Sequence, residues 1–226
     1  MSSIDFDGVS HAFGDRPVLR DIRLNLTEQR VGIVGANGSG KSTLVRLING
    51  LITPDSGTVT VDGLNVARNA KEVRRKVGFI FTNPDNQIVM PTVAEDVAFT
   101  LRRRGLTRDE VSVRTAAALD RFGLSQHADR PAHRLSGGQK QLLALAAVLI
   151  AEPLIVVADE PTTLLDARNA RRITELLLGM SQQVIVVTHQ LELLEAFDRI
   201  IVVDDGRVVA DGKPEATLDR YRELLA

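Results

Sequence analysis

Residues Gly35-Ala36-Asn37-Gly38-Ser39-Gly40-Lys41-Ser42-Thr43 carry the first recognisable chemistry in this 226-residue chain. They match the phosphate-cradling P-loop pattern, preceded by a short apolar segment, Val31 to Val34, and followed by a leucine-containing helical one. Glycines let the backbone wrap a phosphate chain with its N–H groups turned inward, while Lys41 reaches the outer phosphates and the Ser42 hydroxyl is a candidate Mg²⁺ ligand. The plain alternative is a glycine turn closing a helix, and the strand that precedes the loop argues against it. Nucleotide binding is the reading the pattern supports.

Three further clusters decide the fate of the bound nucleotide. Leu135-Ser136-Gly137-Gly138-Gln139 opens an apolar helical segment, with Ser136 placed as N-cap and two glycines leaving backbone N–H groups uncovered. An ordinary capped core helix would look similar. Leu154-Ile-Val-Val-Ala-Asp159-Glu160-Pro161 is an apolar strand ending in two carboxylates. Asp159 is a candidate metal holder and Glu160 a candidate base or orienting group for an attacking water. A solvated strand end is the simpler alternative. Thr188-His189 sets an imidazole at the end of another apolar run, where parallel sheets collect ligands.

These residues need a scaffold. Ile4 to Val9, Val18 to Leu26 and Thr58 to Val61 alternate with turn signals at Gly14-Asp15 and Asp62-Gly63, which predicts an antiparallel lobe. Thr92 to Arg104 and Thr107 to Phe122 read as helices, each opening on a capping box, Thr92 with Glu95 and Thr107 with Glu110. Leu154 to Val157, Val184 to Val187 and Ile200 to Val203 are continuous β-branched or apolar runs, the mark of parallel strands buried on both faces. A hairpin at Asp205-Gly206 and a helix after Pro214 complete an α/β reading.

Composition narrows the class. With 44% hydrophobic and 25% charged residues the chain can bury a core. Twenty-eight basic against twenty-nine acidic residues leave a net charge of -1, which disfavours nucleic acid as partner. The absence of cysteine removes disulfides and thiolate chemistry. The polar opening MSSIDFDG is unlike a secretory signal, and the apolar run Leu142 to Ala151 is half of a membrane span, so a cytoplasmic protein is expected.

In this order, the motifs resemble the ATP-binding cassette (ABC) family over essentially the whole chain. The resemblance implies a P-loop NTPase core with an N-terminal antiparallel β lobe and a helical signature subdomain at about 92–150, all within one domain, 1–226. It implies that Gly35 to Thr43 is the Walker A segment, Leu135 to Gln139 the signature, Asp159 and Glu160 the Walker B aspartate and catalytic glutamate, Asp166 the D-loop aspartate and His189 the switch histidine. Phe13 stands where the family stacks an aromatic ring on adenine. Two cassettes, copies or paralogues, are expected to pair head to tail, with Ser136 and Gly138 of one closing over ATP and Mg²⁺ held by the other.

A narrower likeness lies in Asn83-Pro84-Asp85-Asn86-Gln87, which is similar to the segment that energy-coupling factor (ECF) importers of vitamins and transition metals hold near their membrane partner. It implies a peripheral ATPase on the cytoplasmic face of the membrane, working with a transmembrane T subunit and a substrate-binding S subunit. The chain stops at Ala226 without the extension common in sister ATPases, which favours the biotin subgroup over importers of cobalt, nickel or another vitamin. A soluble cassette uncoupled from transport is the alternative from another class.

Two positions depart from the family pattern. Thr82 stands where a glutamine ligand to metal and water is usual, so Thr82, Gln87 or water must fill that role, and slow hydrolysis is expected. Leu164 replaces a small D-loop residue. The charge runs Arg74-Arg75-Lys76, before a strand, and Arg102-Arg103-Arg104, at a helix C-terminus, read as solvated faces, with a surface toward lipid headgroups or a membrane partner as the alternative. Asp62-Gly63, Asp205-Gly206 and Asp211-Gly212 read as turns.

Overall fold

The computed structural model describes residues 2–102 and 104–225. The chain opens with β1 (Ile4–Phe13), turns at Gly14-Asp15 and returns as β2 (Arg16–Leu26), both longer than periodicity alone indicates. Then β3 (Arg30–Val34) leads through the glycine loop into α1 (Lys41–Ile48). Next come β4 (Ser56–Val61), β5 (Leu64–Asn65), α2 (Ala70–Lys76) and β6 (Val77–Ile80). A helical stretch comes after them, with α3 (Val93–Phe99), α4 (Arg108–Arg121) and α5 (Gly137–Leu149). The remainder alternates β7 (Ile155–Asp159), α6 (Ala167–Leu178), β8 (Gln183–Val187), α7 (Leu191–Leu194), β9 (Arg199–Asp204), β10 (Arg207–Gly212) and α8 (Pro214–Leu225).

Two sheets form. Strands β2-β1-β4-β5 make an antiparallel sheet, and β10-β9-β3-β8-β7-β6 make a second that is parallel except for the edge hairpin of β9 and β10. The continuous apolar runs behave as buried strands must, because side chains alternate across a sheet. Ile155, Val157, Ile185, Val187, Ile201 and Val203 enter a core shared with α1 and the antiparallel sheet. Val156, Ala158, Val184, Val186, Ile200 and Val202 enter a second core formed with the helices. Each run therefore welds two layers together. The carboxyl ends of β3, β7 and β8 consequently lie side by side, because these strands are neighbours in the sheet.

The capping boxes at Thr92 and Thr107 are present, and the Ser136 N-cap forms a third with Gln139, each side chain accepting from the backbone N–H three residues on. Helix α3, however, ends at Phe99 rather than Arg104. The chain leaves it in turns, Arg102 laying its guanidinium over the Phe99 ring and Arg104 donating to the Ala151 carbonyl. These two arginines therefore make specific contacts that a dipole reading does not contain, and Arg103 lies outside the described residues. Asp211-Gly212 is likewise no turn. It ends β10, where Asp211 takes a bidentate pair from Arg199 at 2.6 Å.

Candidate active site

The P-loop forms where β3 stops and α1 begins. Gly35, Gly38 and Gly40 all take positive φ. At Gly35 a Cβ would stand 2.0 Å from the Val203 carbonyl, so a side chain there would push the loop off β9. The loop is pinned from two sides. Lys41 Nζ donates to the Gly35 and Ala36 carbonyls, each at 2.8 Å. Gly206, in the turn between β9 and β10, donates its N–H to Ser39 O at 3.0 Å, and its carbonyl accepts from Arg20 N at 2.8 Å. Ser39 Oγ is buried without a partner among the described residues, which leaves a donor for an incoming oxygen.

Around the loop lies an open pocket whose walls include Phe13, Arg16, Asn37, Lys41, Ser42 and Glu160, with Thr43 buried on its floor. Phe13 is 56% exposed and edge-on to His11, so its ring presents a free apolar face to a base. Burial pushes the Lys41 ammonium below the ordinary lysine range, and the charges of Glu160 and Asp159 oppose that shift.

Two carboxylates from the end of β7 meet this loop. Asp159 is fully buried, with Oδ1 accepting from Ser42 Oγ at 2.7 Å and Oδ2 facing Arg46 Nη2 at 3.2 Å. Ser42 and Asp159 are an oxygen-only pair, the donor chemistry Mg²⁺ prefers, and two protein oxygens suit an ion that draws its other ligands from phosphates and water. This pair could hold it. Glu160 adopts φ of 53°, an uncommon conformation for a side-chain-bearing residue that costs of order 1–3 kcal/mol and concentrates at active sites. Its Oε2 accepts from Thr163 Oγ1 at 2.7 Å and from His189 Nδ1 at 2.8 Å. The histidine follows the end of β8, so the β7–β8 pairing is what brings its ring to the glutamate.

Thr82 lies just past β6. Its hydroxyl donates to the Asp159 carbonyl at 2.8 Å, which ties the loop to the strand end carrying the carboxylates. Gln87 is committed elsewhere, its Oε1 accepting from Phe81 N and its Nε2 donating to Ala144 O. Gln87 therefore fixes the fold of its own loop, and Thr82 is the polar side chain of that loop joined to the Asp159 strand end.

Ser136 and Gly138 do not line the P-loop pocket of their own chain. Ser136 caps α5, Gln139 completes the box, and Gly138 packs against Asn169, where a Cβ would approach within 2.5 Å. Asp166 in turn caps α6 by accepting from Asn169 N and Nδ2, both at 2.8 Å, and those bonds hold its carboxyl below the usual range. The neighbouring Leu164 is exposed. Signature and D-loop thus meet through Asn169, outside the lining of the P-loop pocket.

Sequence reasoning missed Arg16, Arg46, Thr163 and Gly206. A signal existed for Arg46, which follows Ser42 by four residues and so shares its helix face. None existed for Gly206, whose role depends on the hairpin folding back over β2 and the P-loop.

A strand-to-loop-to-helix phosphate cradle, a histidine after the adjacent strand and paired carboxylates at the end of the next define a nucleotide-hydrolysing α/β ATPase. Residues 19–163 match the family described as ABC transporter. The chain belongs to this family of ATP-binding proteins. It is 52% identical to a putative ABC transporter ATP-binding protein of Bartonella quintana, over 98% of both chains. It is 44% identical to the biotin transport ATP-binding protein BioM of Rhizobium etli, over 99% of this chain and all of that one. Among solved structures it is similar to cbiO1 of Clostridium perfringens, part of the ABC transporter complex cbiONQ, with TM-score 0.83 and 32% identity over 98% of this chain and 94% of that one. No helix among the described residues is long and apolar enough to cross a membrane.

Proposed function

We propose that this chain is the ATP-binding and hydrolysing subunit of an ECF-type importer, peripheral to the cytoplasmic face of the membrane, with biotin as the transported substrate. The observation that carries the reading is the arrangement of Glu160, held by His189 and Thr163 beside the P-loop pocket, while the signature residues face away from it. A second cassette must then supply Ser136 and Gly138 over the nucleotide. The helical arm at 92–150 carries them.

Within one chain the roles divide by position. Lys41 and the P-loop N–H groups bind the outer phosphates. Phe13 receives the adenine. Ser42 and Asp159 would hold Mg²⁺, which would supply neutralising charge to the phosphates. Glu160 orients the attacking water and draws off its proton, and the Nδ1–H of His189 keeps that carboxylate aimed. The opposing Ser136 hydroxyl and the bared N–H groups of α5 stabilise charge on the departing phosphoryl group.

Coupling to a membrane partner is supported by a cleft beside the Asn83 to Gln87 loop. Its walls include Lys71, Arg74, Arg75, Arg102, Arg104 and the half-exposed Phe99. Five cations around an apolar floor suit the cytoplasmic loops of a T subunit, and an S subunit selects the cargo. The BioM likeness supports biotin.

The test is Glu160→Gln. ATP should then hold the chains as dimers, seen by size-exclusion chromatography with light scattering, and phosphate release should fall at least about a hundredfold. Full turnover by Glu160→Gln would overturn the hydrolytic assignment. Biotin uptake by cells supplied with this chain and its co-purifying membrane subunits tests the cargo, and uptake that ignores the Glu160→Gln change would reject it.

A further inference from the structure

Asp159 is fully buried, and an ionised carboxylate in that position requires a partner for each oxygen. Ser42 serves Oδ1 and Arg46 serves Oδ2. The two tethers differ in strength. The serine contact is short, at 2.7 Å, and joins two short side chains, Ser42 on the first turn of α1 and Asp159 at the end of β7. Arg46 reaches the carboxylate through one nitrogen at 3.2 Å. Its Nε is buried without a partner among the described residues, and 40% of the side chain is open to water. A guanidinium that could form a two-pronged pair forms a single bond, on a side chain with an exit to solvent.

A divalent ion at Ser42 and Asp159 would bring a second cation to the same carboxylate. Like charges so close repel, and the more loosely held one moves. We propose that Arg46 is a built-in counter-cation for Asp159 that competes with Mg²⁺ and so sets the metal concentration at which the P-loop loads. Arg46 holds the carboxylate aimed at Ser42 between rounds of binding. It is a positioning residue, acting through Asp159 and touching no substrate atom. The inference rests on the reading of Ser42 and Asp159 as the metal pair.

The experiment titrates MgCl₂ against the purified protein with a non-hydrolysable ATP analogue, following binding by calorimetry, for the unchanged chain, Arg46→Gln and Arg46→Lys. Thermal unfolding without nucleotide or metal is measured alongside. For Arg46→Gln the half-saturating Mg²⁺ concentration should fall, by up to about fivefold, the range of a partly exposed ion pair. Its unfolding temperature without ligand should also fall, since a buried carboxylate loses its cation. Arg46→Lys, which keeps a charge at shorter reach, should lie between the two. A half-saturating Mg²⁺ concentration in Arg46→Gln that is unchanged or raised overturns the proposal. So does a loss of analogue affinity in EDTA, because Arg46 would then bind phosphate directly. Ser42→Ala and Asp159→Asn separate the two levels: if both leave the Mg²⁺ dependence intact, the metal-pair reading fails. If they abolish it while Arg46→Gln moves nothing, the counter-cation inference fails by itself.

Discussion

Replacing Gly206 by alanine tests whether the β9–β10 turn braces the phosphate loop, and Gly63→Ala supplies the control. Both glycines have similar positive φ, +72° and +76°. At Gly63 an added Cβ meets nothing within 4 Å, so the cost is the left-handed backbone alone, about 1 kcal/mol. At Gly206 the Cβ would lie 2.4 Å from the Val18 carbonyl oxygen and 3.2 Å from Leu19 Cα, both backbone atoms of β2. The turn must retreat, which weakens its bonds to Ser39 O and from Arg20 N. At about 1 kcal/mol for each bond, the total approaches about 3 kcal/mol. For a chain of this size each kcal/mol moves the melting temperature by about 2–4 °C, so Gly206→Ala should melt about 6–12 °C lower and Gly63→Ala about 2–4 °C lower. The decisive assay is ATP affinity by calorimetry at a temperature where both variants are folded. Gly206→Ala should bind several-fold more weakly, because Ser39 lies within the P-loop, and Gly63→Ala should bind as the unchanged chain does. Equal melting shifts in the two variants, or a destabilised Gly206→Ala with unaltered ATP affinity, would refute the brace.

Thr82→Val should cost about 0.5–1.5 kcal/mol in thermal unfolding, through the lost bond to the Asp159 carbonyl, and should lower turnover. Thr82→Gln should raise turnover or alter its Mg²⁺ dependence, and an assay that finds neither would remove any ligand role from this position. Asp62 reaches Lys76 Nζ at 2.8 Å. Burial there tends to raise its carboxyl, but the bonds from Lys76 and Ser3 outweigh it and hold the group below the ordinary range. Its contribution is therefore complete above the unfolded value near about 3.9 and is lost as pH falls through the lower folded value. Asp62→Asn should cost about 0.5–1 kcal/mol at pH 7, and denaturant titrations should find that gap closing at the acid end. A gap that widens on acidification would contradict the sign.

Much of this protein is legible in short stretches of its chain. The phosphate loop, the paired carboxylates and the three capping boxes depend on residues within a few positions of one another, so local spacing specifies them. The apolar runs at Ile155, Val184 and Ile200 announce strands covered on both faces, because only such strands can hide consecutive side chains. The end of α3 is not legible in this way: Arg102 and Arg104 are helix formers, yet they turn away to meet Phe99 and Ala151.

Tertiary structure alone decided which distant groups meet. Arg46 and Asp159 stand 113 residues apart, and Thr82 and Asp159 stand 77 apart, so no window of sequence contains either pair. Their meeting follows from the strand order that places β7 between β6 and β8 and next but one to β3, an outcome of how whole layers pack. The same packing turns the signature residues away from their own phosphate loop. Periodicity tells a segment which face to bury. Only the neighbours it finds there determine what its polar ends can touch.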